Sequence, residues 1–304
     1  MSESSNGEFS QLLYERPSEH VARIMMNMPQ RRNSQGVVMT YELDDAFKRA
    51  AQDDAVHVII LSGAGDHFNA GHDLSGTERT MPTLEESRGL WAQYEGPGWE
   101  GFFSREHELY FDITERWRNL PKPTIAQVQG SCIAGGNMLA WACDLIVCAD
   151  DARFRETTVD MAMPGCEFFA HPFELGVRKA KEWLFTADWM SAQEAKEHGM
   201  VNHVVPRAEL EGFTLNLANR IASKNRFTLK LIKEAFNASQ DAMGRRNAMN
   251  TAFALHQVAH LQNMLVHGFP VDIGGLSPGI QEKLREARRA ILGNTKKQGS
   301  DEND

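Results

Sequence analysis

The sequence predicts an α/β fold closed by a helical C-terminal region. Three observations carry this. The β-branched run at residues 56–61 (VHVIIL) has the length and composition of a buried strand. Residues 124–129, 135–143 and 144–149 read as strand, helix and strand in succession, the alternation that builds a parallel sheet. From about Pro206 onward every patterned stretch is helical.

In chain order, residues 1–10 are polar and read as a disordered tail. Leu12-Leu-Tyr-Glu15 and Val21-Ala-Arg-Ile-Met-Met26 flank a Pro/Ser turn and read as a β-hairpin. Residues 41–52 place Leu43, Ala46, Phe47 and Ala50 on one helical face. The 56–61 strand ends at the turn residues Ser62-Gly-Ala-Gly-Asp66. Residues 77–118 are charged and aromatic and contain Gly96-Pro-Gly98; we read them as an extended, partly helical insertion near the site. Ser191 and Glu194 have capping-box spacing, and Gly199 stands where that short helix must stop. Helical patterns follow at 210–223, 228–239 and 248–266, and residues 294–304 read as a second tail. The expected organisation is therefore a core over 11–206, a helical region over 207–293, and two tails.

The chain has 304 residues and 42 % hydrophobic content, enough for one substantial core. No apolar run reaches the roughly 18 residues of a membrane helix, and the N-terminus lacks a signal pattern, so a cytoplasmic protein without a membrane partner is expected. A net charge of −9 argues against nucleic acid as a partner. Cys132, Cys143, Cys148 and Cys166 form no CxxC pair, which argues against disulfides and against a zinc site.

Two segments carry the chemistry. Phe68-Asn-Ala-Gly-His-Asp-Leu74 follows the first buried strand; Gln129-Gly-Ser-Cys-Ile-Ala-Gly-Gly-Asn137 follows the second and opens into a helix. Small residues let a ligand approach the main chain, and a helix start offers unpaired N–H groups and a positive dipole end. Two such bends facing each other can hold an oxygen that becomes negative during reaction. Gly-bearing turns after strands are also common without any such role.

These segments belong to a larger pattern. Residues 59–74 (IILSGAGDHFNAGHDL), residues 122–130 (KPTIAQVQG) with Ala134-Gly-Gly136 and Cys143-Asp-Leu145, Ala152-Arg-Phe154 with Pro164-Gly165, and residues 180–186 with 191–195, 199–202 and 204–206 resemble the crotonase (enoyl-CoA hydratase/isomerase) family, in order, over about residues 12–240. The resemblance implies a spiral of ββα units and an enzyme acting on acyl-coenzyme A thioesters. Coenzyme A enters as part of the substrate, with no separate cofactor. The resemblance also implies an oxyanion hole made by the main-chain N–H groups of His72 and Gly135; the His72 side chain is not itself implied as a catalyst. It further implies that the loop at Ala70 and Asp73 holds the adenine end of coenzyme A. Pro29-Gln-Arg-Arg-Asn33 matches the family's Pro-x-x-x-Asn stretch, which sets Arg31 or Arg32 against the coenzyme A phosphates. A homotrimer or homohexamer is implied as well.

The sequence departs from the family where a hydratase carries two glutamates. The first falls at Met138 and the second near Thr157 or Thr158; Glu156 fits only if the alignment slips by two. Met138 and Thr157 are then expected to contact substrate. Glu167 and Asp160 become the acid–base candidates, with His171 a further one, and each also reads as an ordinary loop residue. Cys166 reads as a small buried residue. The expected activity is that of an enoyl-CoA lyase or isomerase. Ala70-Gly-His-Asp73, with Phe154-x-x-Thr157-x-Val159 and Pro164, is also similar to methylmalonyl-CoA decarboxylase, although that family's tyrosine after the proline is Gly165 here. Decarboxylation of a carboxyacyl-CoA or hydrolysis of a β-ketoacyl-CoA is thus an alternative, and a non-catalytic acyl-CoA-binding protein is another.

His256 and His260 lie one helical turn apart, but His256-Gln-Val-Ala-His260 holds no glutamate of an HExxH motif, so no metal is expected. Trp183, Phe185 and Trp189 read as core or interface. Trp91, Trp99, Phe102 and Phe103 either pack the insertion onto the core or line an acyl pocket for a bulky group.

Overall fold

The structure is a computed structural model that describes residues 9–74, 85–89 and 98–286. Nearly all of both expected tails, and Trp91 with much of the insertion, lie outside the described residues.

The expected hairpin is present: β1 (Leu12–Ser18) and β2 (Val21–Met26) pair antiparallel. β3 (Val58–Gly63) runs parallel to β2, and β4 (Thr124–Val128) parallel to β3. After β4 come β5 (Ser131–Ile133), β6 (Leu145–Ala149), β7 (Arg153–Arg155), β8 (Met190–Ser191) and β9 (His203–Val205). The main sheet has the order β1-β2-β3-β4-β6-β9, and β5-β7-β8 form a second, smaller sheet. No sequence pattern marks the second sheet. Its strands have two or three residues, and Arg153-Phe-Arg155 shows no apolar run. Only pairing across the fold makes them strands.

The helices around the sheets include α1 (Val37–Gln52), α2 (Glu100–Glu106), α3 (Ile113–Arg118), α4 (Gly135–Trp141), α5 (His171–Leu175), α6 (Val177–Thr186), α7 (Ala192–Glu197), α8 (Leu210–Ala222), α9 (Arg226–Ala242) and α10 (Arg245–His267), and residues 278–286 are helical as well. A π-helical turn, His107–Asp112, joins α2 to α3. Such turns are rare and gather at functional sites, because the wider turn redirects side chains. The Ser191 hydroxyl accepts a hydrogen bond from the Glu194 N–H at 3.2 Å, so the expected cap of α7 is in place. No helix among the described residues is long and apolar enough to cross a membrane.

Successive side chains on a strand point to opposite faces, and β3 uses both. Val58 and Ile60 pack with Leu210, Ala218 and Ala222 of α8. Ile59 and Leu61 face the larger core, which includes Phe47 of α1, Trp117 of α3 and Leu139 of α4. Burial on both faces explains why this strand reads as an unbroken apolar run. Trp183 is in the core as expected, whereas Phe185 is largely exposed and Trp189 partly so.

The region after Pro206 is tied down by charge as well as by packing. Arg245 of α10 is buried and reaches both carboxylate oxygens of Glu115 at 3.0–3.1 Å, fastening α10 to α3.

Candidate active site

Both glycine-bearing bends leave the C-terminal ends of parallel strands, where open α/β sheets hold their ligands. The first bend is held by Asn33. Its side chain accepts from the Met28 N–H and donates to the Ala64 and His67 carbonyls, all at 2.9 Å. Asn69 continues the lattice: Oδ1 accepts from the Gly71 N–H at 2.7 Å, and Nδ2 donates to the Asn33 carbonyl. The Gln35 N–H donates to the Gly71 carbonyl, and the Asp73 N–H to the Gln35 carbonyl. This pattern skips His72, whose N–H makes no main-chain hydrogen bond among the described residues.

The second bend reverses at Ala134, a non-glycine residue at φ +46° and ψ −109°, before α4 begins. Backbone held this far from the common regions is typical of functional turns. Gly135 is the first residue of α4, and its N–H has no main-chain acceptor among the described residues. The two bends touch. A Cβ on Gly71 would stand 3.4 Å from the Gly135 nitrogen, and a Cβ on Gly135 would stand 2.7 Å from His72 Cδ2. Glycine is required at 135 because the His72 ring already fills that space.

Both bends line one cavity of about 330 Å³. Its walls include Phe102, Tyr110, Met161, Met163 and Phe269. Tyr110 comes from the π-helical turn and stacks on the His72 ring, with centroids 3.9 Å apart and planes 21° from parallel. Burial lowers the His72 pKa to about 4, against weak opposition from Glu106 and Glu156, so the ring is neutral at pH 7.

Glu167 opens onto the same cavity, with Oε1 3.7 Å from His72 Nδ1 and 3.7 Å from His256 Nε2. Burial pushes its carboxyl up to about 7, and the Glu106 charge adds to this while His256 and His260 oppose it. Glu106 of α2 and His256 and His260 of α10 line the same cavity, His256 next to Glu167. Burial would raise the Glu106 pKa, but the neighbouring His260 and His256, and the Gln257 amide at 2.7 Å, outweigh it and hold the carboxyl below its usual range. Burial would lower His260, and the Glu106 carboxylate outweighs that, so its pKa is raised.

Ala70, Asp73 and Thr157 line the cavity, as do Cys166 and Glu167. Arg31 is ion-paired at 2.5 Å with Asp73, whose side chain is 4 % exposed. Arg32 sits at φ +52°, and its carbonyl accepts from the Ala70 N–H. Three expectations need correction. Asp160 does not line the cavity: it is 42 % exposed and pairs with Arg155 at 3.2 Å, because the 3-10 turn that carries it faces outward. Met138 points into the core and does not line the cavity. His171 is fully buried behind the wall, where its Nε2 lies 3.0 Å from Glu156, whose Oε2 also accepts from Cys166 Sγ. Phe102 lines the cavity, whereas Phe103 packs on Phe253; the insertion's aromatic residues thus serve both expected purposes.

Glu106 and Tyr110 escaped the sequence reading. Their segment has no motif, and its helical spacing does not show which side faces the cavity. His256 and His260 were visible as a pair; what was missing was a third group from another element.

A family model described as enoyl-CoA hydratase/isomerase matches residues 16–264. A Mycobacterium tuberculosis protein named as an enoyl-CoA hydratase, EchA13, is 39 % identical over 283 residues, covering 90 % of this chain and 88 % of the relative. The hydroxycinnamoyl-CoA hydratase-lyase of Pseudomonas fluorescens is 29 % identical over 229 residues, covering 75 % of this chain and 78 % of the relative. A crystal structure of a Mycobacterium smegmatis protein named as an enoyl-CoA hydratase superposes with a TM-score of 0.77 at 41 % identity, covering 86 % of this chain and 100 % of the other. With the shared α/β fold and C-terminal helices, these likenesses place the chain in the enoyl-CoA hydratase/isomerase (crotonase) family.

Proposed function

We propose that this crotonase-family acyl-CoA enzyme is a lyase or isomerase acting on an enoyl-CoA, with the His72 and Gly135 N–H groups as its oxyanion hole and Glu167 as its acid–base group. The observation that carries this reading is the contact of the two bends at the wall of a cavity that Glu167 shares. When a proton leaves or joins the acyl chain next to the thioester, negative charge builds on the thioester oxygen. Two amide donors without a main-chain acceptor among the described residues stabilise that charge without rearranging, at about 3–4 kcal/mol for a donor of this kind. Glu167 is a buried carboxyl on the same cavity, 3.7 Å from the His72 ring, and it exchanges the proton with the acyl carbon or with water. The neutral His72 ring supports the bend from behind and does not act as a base.

Phe102, Tyr110 and Phe269 give the acyl end of the cavity an aromatic lining suited to a bulky or cyclic acyl group. The name of the Pseudomonas fluorescens relative, a hydroxycinnamoyl-CoA enzyme, points the same way. Arg31, positioned by Asp73, is our candidate for the coenzyme A phosphates. The apolar side chains that α9 and α10 expose, among them Phe227, Phe236 and Leu265, support a homotrimer or homohexamer, which light scattering on the purified chain would check.

The absence of a glutamate from position 138 favours a second reading, decarboxylation or thioester hydrolysis through the same enolate chemistry. Chromatography that resolves double-bond isomers, coupled to mass spectrometry of products from crotonyl-CoA, longer and aryl enoyl-CoAs, and carboxyacyl-CoAs, separates the readings. Water addition or a double-bond shift is expected, and loss of carbon dioxide or free coenzyme A would support the second reading. Binding without turnover of any thioester would make the chain a binding protein. Glu167→Gln should lower kcat by about 10²–10⁴-fold. Unchanged turnover in that variant would remove Glu167 from the mechanism.

A further inference from the structure

We infer that Glu106, His256 and His260 form a binding site for a divalent cation of the zinc class, with an open coordination position facing the acyl cavity. Three groups meet: Glu106, His256 and His260 each offer one ligand atom, all within 4.8 Å of one another. Glu106 Oε2 lies 3.1 Å from His260 Nε2 and 3.9 Å from His256 Nε2. Ligand atoms around a tetrahedral zinc ion, each about 2.0–2.1 Å from the metal, stand about 3.4 Å apart. The two carboxylate–imidazole distances bracket that figure.

The imidazoles are set for ligation. His256 Nδ1 lies 2.8 Å from the Gly165 carbonyl, and His260 Nδ1 lies 2.5 Å from the Pro270 carbonyl. A carbonyl oxygen only accepts, so each Nδ1 carries the proton and each Nε2 presents a lone pair when the ring is neutral. Both side chains are only 5 % exposed; among the described residues His256 Nε2 has no hydrogen-bond partner, and His260 Nε2 has only the Glu106 carboxylate, 3.1 Å away and poorly aligned for a hydrogen bond. A buried nitrogen without a well-aligned partner is costly unless something occupies it. An ion would satisfy both at once.

The surrounding shell is also built. The Gln257 amide donates to Glu106 Oε2 at 2.7 Å, while its oxygen accepts from Trp99 Nε1 at 2.9 Å. Partners of this sort orient metal ligands and are commonly needed for affinity. Two histidines and one carboxylate leave a position vacant for water or substrate, as in catalytic zinc sites. All three ligands line the cavity, so that position faces the acyl group. A water held there, or an oxygen borne by the acyl chain away from the thioester, is the fourth ligand. The other cluster of this composition among the described residues, Glu156, Cys166 and His171, differs: its carboxylate already accepts from both partners and it is closed to solvent.

The test uses the full-length purified chain, stripped with a chelator and titrated with zinc in a calorimeter, then with cobalt(II) in a spectrophotometer. One equivalent per chain is expected, with the visible absorption of a four- or five-coordinate nitrogen/oxygen cobalt site. His256→Ala and His260→Ala should each weaken binding by about a hundredfold or more, and Gln257→Leu by about 10–100-fold. His198→Ala, at an exposed histidine outside the cavity, should leave it unchanged. No stoichiometric binding by the wild-type chain, or equal binding by the His256 and His260 variants, overturns the site and leaves Glu106 and His260 as an ion pair. Neither readout involves an acyl-CoA, so the proposed activity stands or falls separately.

Discussion

The His72 ring occupies the space in which a side chain on Gly135 would stand, with only 2.7 Å between His72 Cδ2 and the missing Cβ. The two bends are thus fitted to each other, and the position of each N–H depends on the other bend. Gly135→Ala must push the ring away and shift the His72 amide. We expect kcat/KM to fall by about 10²–10³-fold, the range for loss of an oxyanion donor. The circular dichroism spectrum should stay native, because the strain is confined to the two bends. A variant with wild-type kinetics would mean that the amides do not act together.

Met138 is the position at which the sequence resemblance sets a hydratase's first glutamate, and it packs into the core. Met138→Glu should therefore fail to create a hydratase base. It would bury an unpaired carboxyl at a cost of several kcal/mol. The urea midpoint should drop and turnover should not rise. Increased hydration of crotonyl-CoA by this variant would show that position 138 reaches the substrate.

Glu156 gives a prediction in pH. Burial would raise its pKa, but His171, the Cys166 thiol and the Thr158 N–H outweigh burial and hold the carboxyl below its usual value of 4.5. A carboxyl depressed in the fold stabilises above the unfolded pKa, and that stability is lost as pH falls through the folded pKa. Glu156→Gln should cost about 3–5 kcal/mol at neutral pH, the range for breaking a buried pair. The gap to wild type in urea denaturation should shrink progressively below about pH 4.5. A gap that does not change with pH would assign the loss to packing.

Arg245 and Glu115 hold α10, which carries His256 and His260, against α3. Arg245→Met alone leaves the buried Glu115 with its main partner gone, and should destabilise by about 3–5 kcal/mol. Arg245→Met with Glu115→Leu should recover most of that loss, since apolar replacement of a whole buried pair is often neutral. Thermal denaturation of the two variants checks this; equal loss in both would mean that the pair's shape, not its charge balance, fastens α10.

Much of the fold was readable along the chain. The β3 run, the hairpin, the Ser191 cap and the three long C-terminal helices all have local causes: periodicity, β-branching, a hydroxyl placed to accept an N–H. The boundaries were less exact. α1 begins at Val37, four residues before the expected start, because its first turn is buried by neighbouring elements and not marked by its own pattern. The two glycine-bearing bends were also readable, since such turns after strands have a sequence signature.

The chain by itself determined which segments become strands and helices and which two bends can present free amides. Tertiary structure alone decided which carboxylates share the cavity with them. Asp160 and Glu167 are equivalent in sequence, seven residues apart on one loop, yet folding turns one toward solvent and buries the other beside His72. Glu106 meets His256 and His260 across about 150 residues of chain, a distance over which no spacing rule operates. Local pattern specifies backbone conformation residue by residue. The chemistry of a site depends on which side chains share a cavity and on how much water is excluded from it, and both arise only when distant elements pack.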